Sequence, residues 1–342
     1  MSQKTEFLKT SSEDIQRAAE LLATGEVVGI PTETVYGLAA NAKDPVAIAK
    51  IFAAKGRPQD NPLIVHIGER EQLEELVTEI PPVAQKLADA FWPGPLTMIM
   101  KRAECIPAVV SGGLDTLAVR FPVHPIARKI INESGLPLAA PSANISGSPS
   151  PTTFEHVKKD MDGKIAAIVD GGPCEVGVES TVVSVIDNKI TLLRPGGITV
   201  EMLQSISDDV IINHAVTNQL KDGETAASPG MKYKHYSPKA NVVLLKGEPR
   251  QITDYINNHK GDGVWALCFS GEEADLQVPY ILYGKRDNAS EQAQLVFDAL
   301  RKADDLGVKQ LFTSCPSQDG VGLAVYNRLI RAAAFEVIIL GE

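Results

Sequence analysis

Short runs of branched apolar residues alternate with helical segments along most of the chain, and this alternation limits its fold more than any other feature. In the first half, "EVVGI", "PLIVHI", "LTMIMK", "TLAVRF" and "PLAAP" have the composition of buried strands and are bounded by Gly or Pro. In the second half, "NVVLL", "GVWALCF", "VKQLFT" and "FEVIIL" are interleaved with helical patterns near residues 249–258, 288–306 and 320–334. Strands that alternate with helices indicate an α/β protein whose sheet is parallel or mostly parallel and covered by helices.

The length of the chain and one polar segment predict two domains. A chain of 342 residues can form two domains that each bury a core. The segment "TNQLKDGETAASPGMKYKHYSP" has few apolar residues and many turn formers, which is typical of a linker. We therefore predict a first domain over residues 1–208, a linker over 209–240 and a smaller α/β domain over 241–342.

Two helices of the first domain have recognisable ends. Ser12 is predicted to cap the helix in "EDIQRAAELLATG", which Gly25 would end. Asp44 and Pro45 are predicted to begin the helix in "PVAIAKIFAAKG", and Gly56 to end it.

The composition disfavours several classes of protein. The chain has 43 acidic residues against 33 Lys and Arg residues, a net charge of −10, which disfavours a protein that coats nucleic acid. The polar N-terminus has no signal-peptide pattern, and no apolar run approaches the ~20 residues of a membrane span. The four cysteines form no C-x-x-C pair, so we expect a reduced, cytoplasmic protein without structural zinc. Neither standard nucleotide-binding loop, G-x-G-x-x-G or G-x-x-x-x-G-K-[ST], is present.

Two polar clusters follow a strand and a helix of the first domain. "IPTETVYGLAANA" places Thr34 and Tyr36 at a turn, a pattern that by itself is more typical of an ordinary strand exit than of a binding site. "KGRPQDNPLIVHI" places Lys55 and Arg57 around the predicted helix end, where two cations would also interact favourably with the helix dipole.

Two further arginines need partners. Arg120 in "TLAVRF" and Arg194 in "TLLRPGG" lie within or at the end of apolar strands, and an unpaired buried charge is very costly. With Lys55 and Arg57 they would form a cationic cluster, which suits a small, highly charged ligand. His66, in an apolar strand, is by itself more typical of a core or surface residue.

Two other clusters supply hydroxyl and amide groups. "APSANISGSPSPTT" offers Ser142, Asn144 and Ser150 to phosphate or ribose, although its composition alone favours a flexible surface loop. "VGVESTVVS" places Ser180 and Thr181 at the start of a strand. No cluster pairs a nucleophile with a base or has metal-ligand spacing, so a hydrolase with a catalytic triad is disfavoured.

The order of these motifs resembles a known family. "PTETVYGLAANA", "KGRPQDNPLIVHI", "FWPGPLT", "VRFPVH", "PLAAPSANISGSPSPTT" and "ESTVVS" followed by "LLRPGGI" resemble the YrdC-like family. "SPGMKYKHYSP" and the residues after it resemble the long, two-domain form of that family, the threonylcarbamoyl-AMP synthases, although the C-terminal domain matches more loosely. The resemblance implies a first domain with a twisted mixed sheet and helices, and a smaller Rossmann-like α/β domain with a mostly parallel sheet.

The resemblance also implies an activity and its partners. Such enzymes join L-threonine, bicarbonate or carbon dioxide, and ATP into threonylcarbamoyl-AMP, and they release pyrophosphate. Downstream transferase proteins then move the threonylcarbamoyl group to the adenosine next to the anticodon of certain tRNAs. Mg²⁺ would arrive with ATP and no organic cofactor or membrane would be involved, while a weak contact with RNA stays open.

The family's site residues are carried over by motif. Those implied for ATP are Lys55, Arg57, Asn61, Thr116, Ser142, Asn144, Ser150, Arg194 and Tyr236, with Lys55 and Arg57 the catalytic candidates at the phosphates. Those implied for threonine are Thr34, His66, Arg120, the Ala140 backbone and Thr181, with a bidentate Arg120–carboxylate pair.

The basic and aromatic segment "SPGMKYKHYSP", residues 228–238, is expected to be a lid over the site. Its candidate residues are Lys232, Tyr233, Lys234, His235 and Tyr236. Without the resemblance, a solvated linker is preferred. Two rival functions are an RNA-binding module, which the net acidity disfavours, and carbamoyl transfer by a maturation enzyme, which would carry extra N-terminal domains and cysteine-rich zinc elements.

Overall fold

The computed structural model describes residues 4–219 and 236–341, which form two compact units. Among these residues, the first unit comprises 4–146 and 150–216, and the second comprises 147–149, 217–219 and 236–341. The loop segment Gly147–Pro149 therefore belongs to the second unit, although its neighbours in the chain belong to the first.

The first unit is built on a mixed sheet that has eleven strands within the described residues. In chain order the strands are β1 Glu6–Leu8, β2 Val28–Ile30, β3 Gly37–Asn41, β4 Ile64–His66, β5 Leu96–Lys101, β6 Thr116–Arg120, β7 Leu138–Ala139, β8 Ala167–Val169, β9 Thr181–Ser184, β10 Ile190–Arg194 and β11 Val210–Ile212. Their order across the sheet is β1-β8-β2-β3-β7-β4-β6-β5-β9-β10-β11. Parallel pairs such as β4–β6 stand beside antiparallel pairs such as β5–β6, which confirms the mixed sheet.

Helices of the first unit connect these strands. They are α1 Ser12–Ala23, α2 Pro45–Lys55, α3 Leu73–Leu76, α4 Pro82–Phe91, α5 Pro125–Ser134, α6 Phe154–Met161 and α7 Val200–Gln204. Short 3₁₀ turns cover Arg70–Gln72, Ile186–Asn188 and His214–Val216. Apolar residues of α1 and α5 pack with residues of β2, β7 and β8 in one buried cluster, so the core at this end of the sheet lies beneath those two helices.

The two predicted helix ends are close to the observed ones. Asp44 caps α2 by accepting a hydrogen bond from the Val46 amide, and Gly56 ends that helix with φ 60° in the left-handed region, as predicted. The cap of α1 is Ser11 and not Ser12, because the extended backbone at Ser11 lets its hydroxyl accept from the Asp14 amide.

The predicted linker begins too early. β11 (Val210–Ile212) pairs in parallel with β10, and the turn that follows it still belongs to the first unit. Two apolar side chains of β11 are exposed, so its sequence resembles that of a linker even though its backbone completes the sheet. Residues 209–216 are therefore part of the first unit.

The second unit is a smaller parallel sheet with helices. Its strands are β12 Asn241–Lys246, β13 Val264–Cys268, β14 Tyr280–Leu282, β15 Gln310–Ser314 and β16 Val337–Ile339, and its helices are α8 Pro249–Asn258, α9 Ala289–Asp305 and α10 Gly322–Ala332. The strand order is β14-β13-β15-β12-β16, and every pairing between these strands is parallel. The predicted strand and helix alternation is thereby confirmed.

Candidate active site

Strand register brings one set of predicted residues into a row across the first sheet. His66 at the end of β4 is the register partner of Arg120 at the end of β6, and Arg120 is also the partner of Thr97 on β5. Thr181 begins β9, where it pairs with Leu96 next to Thr97. Residues far apart in the chain therefore lie at the same end of four adjacent strands.

Two further predicted residues join this row through hydrogen bonds. Thr34 lies on the loop between β2 and β3, and its Oγ1 accepts from Arg120 Nη1 at 2.7 Å. The Ala140 amide, just after β7, donates to the Ile64 carbonyl of β4 at 2.9 Å. The five residues that the family resemblance assigns to threonine are thus gathered in one region of the first unit.

Arg120 is held by the protein at all three of its nitrogens. Nε donates to the Gly94 carbonyl at 3.4 Å, Nη1 donates to Thr34, and Nη2 lies 2.5 Å from Oε1 of Glu33. Only 4% of the Arg120 side chain and 3% of the Glu33 side chain are exposed. The buried charge of Arg120, which requires an anion, is therefore paired with the Glu33 carboxylate inside the protein. Glu33 was not among the site residues predicted from the sequence.

The Glu33 carboxylate keeps hydrogen-bonding capacity. Oε1 is close to Arg120 Nη2, but the contact is an ion pair without aligned hydrogen-bond geometry, and neither Glu33 oxygen has a hydrogen-bond partner among the described residues.

Burial, reinforced by the negative charge of Glu33, raises the pKa of Cys174 to about 12, so this thiol stays protonated at neutral pH.

His66 is a neutral imidazole in this environment. Burial, with the nearby positive charge of Arg120, lowers the pKa of His66 to about 3. Its Nδ1 lies 3.2 Å from the Ile64 carbonyl oxygen, which can only accept a hydrogen bond. The proton is therefore assigned to Nδ1, and Nε2 is left as an acceptor.

Lys55 joins two of the motifs assigned to ATP. Its Nζ donates to the Ser142 carbonyl and, at 2.6 Å, to the Asn144 carbonyl, and it lies 3.5 Å from Asn144 Oδ1. In return, the Lys55 carbonyl accepts from the Ser146 amide at 2.9 Å. The K-x-R and S-x-N elements thus form one connected structure, in which the lysine charge lies against loop carbonyls.

Arg57 and Asn61 share a short turn. Arg57 Nη2 donates to the Asn61 carbonyl at 3.4 Å and to the Pro62 carbonyl at 3.2 Å.

Thr116 begins β6, whereas Arg120 ends it, so the two α-carbons are separated by roughly 13 Å along the strand. The structure thus separates Thr116 from the row that contains His66 and Arg120.

Arg194, at the end of β10, contacts the start of β9. Its Nε donates to the Ser180 carbonyl at 3.1 Å and its Nη2 lies 3.2 Å from Ser180 Oγ, which is in turn 2.8 Å from Thr97 Oγ1. Gly196 makes this approach possible, because a Cβ there would lie 2.3 Å from the Thr181 amide nitrogen.

The remaining predicted residues differ in their surroundings. Ser150 Oγ donates to the buried carboxylate of Glu179. Tyr236 belongs to the second unit, where its ring packs 5.3 Å from that of Phe297 and the Arg328 guanidinium lies 5.5 Å from its centroid. Lys232, Tyr233, Lys234 and His235 lie outside the described residues.

Three polar residues around these motifs were not predicted from the sequence: Glu33, Thr97 and Glu179. Ser180 was noted there at the start of a strand but was given no role. Glu33 and Glu179 stand inside the motifs themselves, and a buried arginine in an apolar strand requires an anion. Thr97 gives no such signal, because it is a single hydroxyl in an otherwise apolar strand.

The part of the chain that the structure describes has neither a metal-binding cluster nor a membrane-spanning helix. No group of three or more His, Cys, Asp or Glu side chains in residues 4–219 and 236–341 is arranged to hold a metal ion. Within the same ranges, no helix is both long and apolar enough to cross a membrane.

Comparisons with known proteins cover nearly the whole chain. Residues 20–196 match a family model described as telomere recombination, and residues 198–334 match one described as the C-terminal domain of threonylcarbamoyl-AMP synthase. A threonylcarbamoyl-AMP synthase of Pyrococcus abyssi is 46% identical over 95% of this chain and 95% of its own length. One of Bacillus subtilis is 45% identical over 98% of this chain and 97% of its own length.

A solved structure extends the comparison to the fold. The crystal structure of P. abyssi Sua5 complexed with L-threonine matches with a TM-score of 0.92 at 44% identity, over 98% of this chain and 100% of the other.

Proposed function

The chain belongs to the two-domain threonylcarbamoyl-AMP synthases, and we propose that it makes threonylcarbamoyl-AMP and pyrophosphate from L-threonine, bicarbonate or carbon dioxide, and ATP. The observation that carries this proposal is the row of His66, Arg120 and Thr181 at one end of adjacent strands, beside the Thr34 loop. A compact set of one cation, hydroxyls and a neutral imidazole suits a small, polar amino acid.

The threonine side of the proposal assigns each group a chemical role. Arg120 binds the substrate carboxylate, for which at most three of its five N–H donors are already engaged within the protein. His66 Nε2 is available as an acceptor to orient the substrate. The Thr181 hydroxyl donates to the Ile198 carbonyl at 2.6 Å and accepts from the Ile198 amide at 3.0 Å, and Thr34 Oγ1 lies 2.9 Å from Thr32 Oγ1 and accepts from Arg120, so each hydroxyl offers the substrate at most one further acceptor site. Ala140 provides its main-chain carbonyl next to β4, since its amide donates to the Ile64 carbonyl.

The reaction then needs positioning and charge neutralisation more than a covalent nucleophile. The threonine amine forms an N–C bond with carbon dioxide to give a carbamate and a proton. With bicarbonate, a C–O bond breaks as the N–C bond forms, and the products are the carbamate and a water molecule, with no proton released. A carbamate oxygen attacks the α-phosphorus of ATP, and the bond from that phosphorus to the bridging oxygen breaks to release pyrophosphate. Holding these reactants in line supplies most of the catalysis in such a transfer.

The ATP side of the proposal uses the joined K-x-R and S-x-N elements. We assign ATP binding to these two elements together with Asn61 and three other residues of the first unit. The full set is Lys55, Arg57, Asn61, Thr116, Ser142, Asn144, Ser150 and Arg194. Mg²⁺ is part of the substrate and arrives with ATP, whose phosphates supply oxygen ligands that this ion prefers. Lys55 and Arg57 then stabilise charge that develops on the phosphates.

The product is a reactive mixed anhydride, so a second enzyme is needed to use it as the donor of the threonylcarbamoyl group. We propose that transferase proteins of the cytoplasm move the threonylcarbamoyl group from AMP to the adenosine next to the anticodon of tRNA. A direct RNA contact is not required for the synthesis step, and a salt-dependent affinity for bare tRNA would reveal one.

The proposal is tested by following pyrophosphate release while one substrate is omitted at a time. Release is expected only when threonine, bicarbonate and Mg²⁺-ATP are all present. Serine is expected to support slower release, because one missing methyl group is worth only about 1–3 kcal/mol of discrimination. Equal ATP turnover without any amino acid would contradict the proposal.

A further inference from the structure

The ion pair between Arg120 and Glu33 is buried at the candidate threonine site. The two side chains are 4% and 3% exposed, and Nη2 and Oε1 are 2.5 Å apart. We propose that this pair recognises the whole α-amino acid head group: Arg120 binds the substrate carboxylate, and Glu33 binds the substrate ammonium group. The assignment of Glu33 rests on the proposed function, since it takes threonine to be the ligand of this site.

The geometry of an α-amino acid explains why the two charges touch. Its carboxylate and its ammonium group are attached to the same carbon atom, so the two charges of the ligand are next to each other. A site that binds both charges with side chains is well served by a cation and an anion close together, each facing the opposite charge of the ligand. Arg120 and Glu33 form such a pair, and they are joined to Thr34 through Arg120 Nη1.

The hydrogen-bonding state of Glu33 points to a ligand. A carboxylate can accept about four hydrogen bonds, and a buried one that accepts none is costly. Neither Glu33 oxygen accepts a hydrogen bond from the described residues. An ammonium group carries three donors and would supply both the charge and the hydrogen bonds that these oxygens lack.

A purely structural ion pair accounts for less of this arrangement. Buried ion pairs that only stabilise a fold need further hydrogen bonds to offset the loss of hydration. Arg120 donates two of them, to Gly94 and Thr34, and lacks one only at Nη2, whereas neither Glu33 oxygen has one. The deficit is therefore larger on the anionic member, which is the one that would face an ammonium group.

The first test changes the ligand and leaves the protein intact. Calorimetry on the full chain compares L-threonine with the 2,3-dihydroxybutanoate of the same configuration, in which a hydroxyl replaces the ammonium group. Loss of a buried charge pair is expected to weaken binding about 30-fold or more. If the hydroxy acid binds within threefold of threonine, Glu33 does not bind the ammonium group. If threonine itself does not bind, the proposed function fails instead.

The second test changes the protein. Glu33→Gln keeps the shape of the side chain but removes its charge, so threonine should bind about 30-fold more weakly while the hydroxy acid changes less than threefold. Glu175→Gln is the matched control, because Glu175 is exposed on the loop after Cys174 and the charge change is the same. A preference for threonine that survives intact in Glu33→Gln would overturn the assignment. If this variant does not fold, the ligand comparison decides by itself.

Discussion

His66 and Arg120 are register partners at the ends of the neighbouring parallel strands β4 and β6. The pairing sets a histidine beside a buried guanidinium, and both burial and the charge of Arg120 lower the pKa of His66 to about 3. The same strand ends therefore hold one permanent cation and one imidazole that stays neutral at physiological pH.

The neutrality of His66 predicts how the imidazole responds to acid. An unfolded chain would protonate it near pH 6.5, whereas the folded protein resists protonation down to about pH 3. His66 therefore contributes to the free energy of unfolding a term that is fully present above pH 6.5 and is lost as the pH falls toward 3. The free energy of unfolding should decrease over this range by up to about 1.4 kcal/mol per pH unit. Nuclear magnetic resonance of the ring, assigned with His66→Gln, should show no titration between pH 8 and pH 5. A midpoint near 6.5 would contradict the buried, neutral assignment.

Arg120→Lys should separate the two substrates kinetically. Lysine keeps the positive charge, but it cannot contact Gly94, Thr34 and Glu33 at once and still bind a carboxylate with two parallel hydrogen bonds. The KM for threonine should rise on the order of tenfold or more, with a smaller change for ATP. Arg128→Lys is the control, because Arg128 is partly exposed and pairs with Glu69 on the surface. Equal effects of Arg120→Lys on both KM values would count against the carboxylate assignment.

Lys55→Met should loosen the S-x-N loop. The substitution removes the ammonium group that binds the Ser142 and Asn144 carbonyls, and each unsatisfied buried acceptor costs about 1–3 kcal/mol. Hydrogen exchange of residues 142–146 should accelerate and the KM for ATP should rise. Lys50→Met, five residues earlier in α2, removes partly exposed contacts with the Glu26 carboxylate and the Gly25 carbonyl, both away from the S-x-N loop, and should change neither quantity. Unchanged exchange in Lys55→Met would show that the loop does not depend on the lysine.

Tyr236 is predicted to bind ATP through its hydroxyl, and it is also packed inside the second unit. Tyr236→Phe keeps the ring against Phe297, so stability should change by less than about 1 kcal/mol while the KM for ATP rises. Tyr236→Ala should destabilise the second unit by about 3–5 kcal/mol through loss of the ring. An ATP KM that is unchanged in Tyr236→Phe would remove the hydroxyl from the nucleotide site and leave only the packing role.

Much of the fold follows from local patterns in the sequence. The helix over Pro249–Asn258 and the cap and end of α2 agree with their prediction, because proline, capping side chains and left-handed glycine act within one turn of the chain. β11 was missed because its pairing with β10 depends on tertiary contact and its apolar side chains are exposed.

The site was harder to predict, because register between distant strands is not visible in a single sequence. The motifs supplied His66 and Arg120 separately, and only the pairing of β4 with β6 places them side by side. Glu33 was missed for a related reason. Its position next to Thr34 is local, but the arginine that it pairs with lies on another strand.

The proposed reaction joins three substrates into threonylcarbamoyl-AMP at one active site. The most direct measurement is mass spectrometry of the product formed by the purified full chain from L-threonine, Mg²⁺-ATP and ¹³C-bicarbonate. We expect a single species that contains AMP and threonine and carries one ¹³C atom at the carbamoyl carbon, with an equal amount of pyrophosphate. Pyrophosphate release accompanied by free AMP or by threonyl-AMP, without incorporation of ¹³C, would contradict it.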